Sequence, residues 1–149
     1  TTSRLPPQKR RRMKPNNVFL VPCTENSFYR AWVEFLTPYH KLTAREKDVA
    51  ARILAQYFKF KESIPDPEVL RDLLWSRKSR KDIMESLSMS QAHFQMVLAK
   101  LKTAGFIKDG DINPRFIPHK LQGDSRFMLQ VVFDWSSARN PIHRETEQT

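Results

Sequence analysis

The stretch SLSMSQAHFQMVLAKLKTAGFI, residues 86–107, carries a helix with both of its ends marked. Phe94, Val97, Leu98 and Leu101 fall at i, i+3, i+4 and i+7, one apolar stripe at helical spacing. Ser90 stands where a hydroxyl can accept an otherwise unpaired first-turn amide. Gly105 stands where a left-handed residue ends the helix. Just upstream, SRKSRKDIMESL (residues 76–87) reads as another helix with Ile83, Met84 and Leu87 inward, leaving SMS at 88–90 as the turn. The expectation is a helix, a short turn and a second helix. Downstream, FIKDGDI (106–112) signals a hairpin at Asp109 and Gly110. RFMLQVVFDW (126–135) then alternates Phe127, Leu129, Val131, Phe133 and Trp135 on one face, so it is expected to cover the core and pair back into the same small sheet.

Working back toward the N-terminus, LTAREKDVAARILAQYF (42–58) opens with Thr43 three residues before Glu46, a capping box, and buries Val49, Ala50, Ile53, Leu54 and Tyr57. Between it and the helix pair, Asp66 and Pro67 suit the cap and first turn of a short helix whose Val69, Leu70, Leu73 and Leu74 face the core. TENSFYRAWVEFLTPYHK (24–41) places Phe28, Trp32, Phe35 and Leu36 at helical spacing, with Asn26 or Ser27 as cap and Pro38 as stop. NNVFLVP (16–22) is short, β-rich and closed by proline, an edge strand or an extended strap. The fold expected is mainly α with a small antiparallel β-sheet, an α+β domain over residues 16–136. It is flanked by a flexible basic arm at 1–15 and a polar tail at 137–149.

The 149 residues suit one domain, and 26 Lys and Arg against 16 Asp and Glu give a formal net charge of +10. That surplus favours an anionic partner, nucleic acid first and anionic lipid second. Much of it sits in TTSRLPPQKRRRMK (1–14), where Arg4, Lys9, Arg10, Arg11, Arg12 and Lys14 meet no acid. Such an arm neutralises phosphates without needing a fixed shape, though a solvated tail or a targeting signal has the same composition. No apolar run is long enough to span a bilayer. The single Cys23 has no internal partner for a disulfide and no cysteine pair for zinc, which points to a reducing, cytoplasmic setting and to a half-buried thiol in a strand. Trp32, Trp75 and Trp135 lie at apolar spacings and are expected in the core rather than stacked on bases.

Catalysis finds little support. Histidines 40, 93, 119 and 143 occupy separate segments without ligand spacing, and three glycines leave no phosphate-cradling loop. Asp109, Gly110 and Asp111 lack the later ligands of a calcium loop, and the hairpin accounts for them. A protein that is not an enzyme, with no cofactor and no metal, is expected.

SMSQAHFQMVLAKLKTAGFI (88–107) resembles the recognition-helix segment of winged helix-turn-helix regulators such as the MarR family. LTAREKDVAARIL (42–54) is similar to the opening helix of LuxR-type and sigma-factor region-four modules, and RKDIMESLSMS (80–90) to their first motif helix; YFKFKESIPDPEVLRDLLWS intervenes at 57–76. The arrangement also bears a loose resemblance to uncharacterised small proteins of phages infecting Bacteroidetes. The winged-helix resemblance spans residues 42–112 and implies that the second helix enters the major groove of duplex DNA. It implies base contacts from the start and outer face of that helix, at Ser90, Gln91, Gln95, Met96 and Lys100, with glutamines suited to adenine edges and Met96 or Ala92 to thymine methyls. Arg77, Lys78, Arg80, Lys81 and Lys108 would grip phosphates, as would Arg10, Arg11 and Arg12 of the arm. Cations at 77–81 oppose the helix dipole, so local stability does not explain them. A DNA-binding regulator of transcription or replication follows, acting alone or as a homodimer. The outer face of Ala92, Met96, Ala99 and Thr103 is poor in arginine, however. The alternative is a structural or adaptor component of a nucleoprotein or phage assembly that docks on protein through the same helices.

Overall fold

Thr43 begins the helix against which four of the other described helices pack. Its hydroxyl accepts the Glu46 N–H at 3.4 Å, and the Glu46 carboxylate accepts the Thr43 N–H at 2.9 Å, closing the expected capping box. A computed structural model describes residues 18–120 and 126–136; the arm at 1–15, Asn16 and Asn17 of the strap, and the tail at 137–149 lie outside the described residues. Among the described residues six helices run in order: α1 Glu25–Phe35, α2 Thr37–His40, α3 Ala44–Lys61, α4 Pro67–Leu74, α5 Arg77–Ser86 and α6 Gln91–Thr103. Strands β1 Ile107–Lys108 and β2 Asp111–Ile112 form one antiparallel hairpin. After a 3-10 turn at Pro114–Phe116, β3 His119–Lys120 and β4 Phe127–Met128 form another. The chain is therefore mainly helical with two small antiparallel sheets, an α+β arrangement.

Helix α3 touches α1, α4, α5 and α6, and its Val49, Ala50, Ile53 and Leu54 are wholly buried. Phe94 and Leu101 of α6 and Leu74 of α4 meet them in the same core. Burial of side chains of this size stabilises by about 1.5–3 kcal/mol each, which is what holds short helices that would not persist alone. On the other side of α3, α1 is held by Lys47 Nζ, 2.9 and 3.0 Å from the two Glu34 carboxylate oxygens, and by Arg30 Nε, 2.8 Å from Asp48. The Trp32 indole N–H donates to the Phe116 carbonyl at 2.8 Å, fastening α1 to the segment after the hairpin.

Several expectations need correction. Thr24 caps α1, and Ser27 is its partner three residues on: each side chain accepts the other's backbone N–H. Pro38 does not stop the helical run. It lies in the first turn of α2, where a missing N–H costs nothing, and Leu36 makes the break before it. Phe35 is 61% exposed and Val69 48%, because a helix of this length turns only one narrow face to the core; Tyr57 and Leu73 are half-buried. Val18, Phe19, Leu20 and Val21 form no strand and are largely exposed, and Cys23 in the same stretch is exposed as well.

The long alternating strand at 126–135 is the largest departure. Among the described residues only Phe127 and Met128 of this stretch pair, and they pair with β3 rather than with the β1–β2 hairpin. Phe133 and Trp135 are 91% and 89% exposed. Alternation supplies a strand with a face but not with a neighbour, and here Trp32, Phe106 and Phe116 already close the core.

Candidate nucleic-acid interface

The α5–α6 pair is set by local rules and then locked from a distance. Ser76 caps α5 by accepting the Ser79 N–H at 3.2 Å, and Ser90 caps α6 by accepting the His93 N–H at 3.1 Å. Ser88 takes a left-handed conformation (φ 50°) in the turn, and Met89 tucks beneath it, 8% exposed. At the far end of α6, Gly105 lies at φ 87°, its N–H donating to the Lys102 carbonyl while the Phe106 N–H donates to Leu101. Both bonds belong to a Schellman stop, completed by buried Leu101 and Phe106. The hairpin follows at once, with Asp109 and Gly110 at φ 55° and 76°.

Two long-range contacts, neither visible in sequence patterns, fix these parts. Arg45, from the first turn of α3, donates through Nη2 to the Leu87 carbonyl at the end of α5. The Trp75 indole N–H donates to Asp111 Oδ1 at 3.1 Å, tying the hairpin to the α4–α5 junction. That same oxygen accepts the Ile112 N–H at 2.8 Å, so Asp111 serves the hairpin as an internal acceptor. Among the described residues, no group of three or more His, Cys, Asp or Glu side chains is placed to hold a metal ion.

With Phe94, Val97, Leu98 and Leu101 inward, α6 turns Gln91, Ala92, His93, Gln95, Met96, Ala99, Lys100 and Thr103 to solvent. An open groove of about 560 Å³ runs between the beginnings of α5 and α6. Arg77, Arg80 and Lys81 line one wall, Gln91 and Gln95 the other, and Met84 and Phe94 also contribute to the lining. Arg77 and Lys81 are exposed, whereas Arg80 is partly buried and its Nε is shielded from solvent with no hydrogen-bond partner among the described residues.

The remaining candidates scatter around this groove. Lys78 is highly exposed and 3.6 Å from Asp82, an ion pair worth little in water. Met96 is 66% exposed on α6, outside the groove lining, and Lys100 lies in the last turn of the same helix. Lys108 is exposed on β1. The Ser90 hydroxyl is spent on its cap. Lys102, also exposed in the last turn of α6, escaped the sequence reading; its place one turn before Gly105 was the available signal. Arg10, Arg11 and Arg12 lie outside the described residues. No family model matches the chain, and no curated protein or solved structure matches it.

Proposed function

We propose that the protein is a winged-helix module that binds duplex DNA, with α6 in the major groove, the β1–β2 hairpin as the wing, and a role in regulating transcription or replication. The observation that carries this reading is the groove in which Arg77, Arg80 and Lys81 face Gln91 and Gln95. Cations for phosphates and amides for base edges stand side by side there, as groove readout requires. Helix α5 has no acidic residue in its first turn, so its cations work against the helix dipole and are best explained by an external polyanion. Gln91 and Gln95 present paired donors and acceptors to adenine, and Met96 an apolar contact for a thymine methyl. Lys100, Lys102 and Lys108 extend the positive surface toward the flanking backbone, and the cationic arm at 1–15 adds charge without sequence choice.

Exposed Met96, beside exposed Ala92 and Ala99, favours the second reading, in which α6 docks on protein within a nucleoprotein assembly. Selection from a pool of random duplexes separates the two. The wild-type chain should enrich a short motif, and Gln95→Ala should relax the preference at one or two positions by about tenfold, the cost of one lost base contact. Recovery of unselected sequence by wild type and variant alike would leave the docking reading in place of this one.

A further inference from the structure

Four consecutive apolar side chains stand in water just ahead of α1. Val18, Phe19, Leu20 and Val21 are 63%, 87%, 72% and 61% exposed and pair with no strand among the described residues. Pro22, Cys23 and the capping Thr24 separate them from the helix. Single exposed hydrophobes are ordinary, whereas a contiguous exposed run marks a surface that meets something. The sequence before the run is densely cationic: Arg4, Lys9, Arg10, Arg11, Arg12 and Lys14 precede it, and no acid occurs ahead of Glu25. Chain length alone joins the two features. Four residues separate Lys14 from Val18, so their Cα atoms lie at most about 14 Å apart whatever the path between them.

We infer that residues 1–21 attach the protein to an anionic lipid surface, the cations on the headgroups and Val18–Val21 at the boundary between headgroups and acyl chains. Charge complementarity selects this occupant. A neutral apolar groove on another protein would cover the run and leave six adjacent cations unanswered. A nucleic acid would answer the cations and leave the run in water: bases stack on rings, and of the four side chains Phe19 alone has one. An anionic membrane meets both, because its surface attracts a basic segment and its boundary layer accepts apolar side chains. The two signals need each other. Electrostatic attraction fades within a Debye length, and four residues are far too few to span the hydrocarbon core, so each alone gives weak, reversible contact. This surface uses none of the α5–α6 residues and stands apart from the nucleic-acid reading.

Cys23 supplies the probe, being exposed, the one cysteine of the sequence and two residues past Val21. The full chain carrying nitrobenzoxadiazole on Cys23 is titrated with phosphatidylcholine vesicles containing about 30% phosphatidylserine, a surface of strongly negative potential. Emission should rise and shift to the blue as the label leaves water. Vesicles of phosphatidylcholine alone should bind at least about 100-fold more weakly, and replacing Arg10, Arg11 and Arg12 together by Ala should cost about 100-fold, at roughly fivefold per cation. Phe19→Ser with Leu20→Ser should weaken vesicle binding by about tenfold or more and remove the blue shift, with helical circular dichroism unchanged. Failure of the wild type to bind anionic vesicles overturns the inference, the run then belonging to a protein partner. Binding that survives Phe19→Ser with Leu20→Ser at full strength overturns it too, since charge alone would then hold the protein. Loss of duplex binding in that variant with vesicle binding intact gives the run to nucleic acid and overturns it equally.

Discussion

Trp75 and Asp111, 36 residues apart, share a 3.1 Å hydrogen bond that joins the α4–α5 junction to the β1–β2 hairpin. The hairpin has only two residues per strand, too few to hold its own orientation. Its position beside α6 therefore depends on this bond and on Ile107 and Ile112, both buried in the core.

Trp75→Phe keeps a six-membered ring and removes the donor together with the five-membered ring that carries it. It should cost about 1–3 kcal/mol of stability, about 1 for the bond and the rest for lost packing against the core. If the hairpin is the wing, the variant should also weaken duplex binding, while substitution of the α1 surface does not. Urea unfolding and fluorescence anisotropy read the two effects; unchanged binding despite the stability loss would remove the hairpin from the interface.

Arg45 and Leu87 make the second long-range lock. Arg45→Ala should destabilise by about 1 kcal/mol, less than a buried charged bond because the side chain is partly solvated. Amide exchange tells whether the effect is local. Protection at Ser88 and Met89 should fall further than at Val33 in α1, and a uniform loss would contradict the assignment.

His40 gives the fold an acid sensitivity. The ring is 4% exposed; the Leu42 N–H donates to Nδ1 at 2.9 Å, so the proton sits on Nε2, which donates to the Val33 carbonyl at 2.8 Å. Burial, with Lys47 adding to it, depresses the imidazole below its ordinary 6.5. Protonation would set two N–H groups against each other at Nδ1. The unfolded chain binds that proton first, so stability is full above the ordinary value and falls as pH drops through the depressed one. Glu34 does not share this window, because hydrogen bonds from Arg30 and Lys47 hold its carboxyl down at about 2. Urea midpoints at about pH 7.5 and about pH 5 should therefore differ more in wild type than in His40→Gln; equal differences would assign the acid sensitivity elsewhere.

Local signals made α3, α5 and α6 legible. Thr43 with Glu46, Ser90, Gly105 and the Asp109–Gly110 pair each act within a few residues, and each took its expected role. The start of α1 slipped by two or three residues because Thr24, Asn26 and Ser27 are all competent caps, and only the reciprocal Thr24–Ser27 bonds decide between them. The strand alternative at 18–22 and the long strand at 126–135 fail for a different reason. Their β-prone composition is a preference for a neighbour, and which neighbour exists is settled by the whole fold. The groove was half legible. The cation cluster and the two glutamines were visible separately, but that Arg77, Arg80 and Lys81 rather than Lys78 line one groove with Gln91 and Gln95 depends on how the chain places α5 and α6.

The salt dependence of duplex binding tests the central claim most directly. The logarithm of the binding constant should fall linearly with the logarithm of salt concentration, and Arg77→Ala with Lys81→Ala should flatten that slope by about 2, one unit for each phosphate contact removed. A slope identical to wild type in that double variant would show that the groove between α5 and α6 does not meet the DNA backbone, and the proposed interface would fall with it.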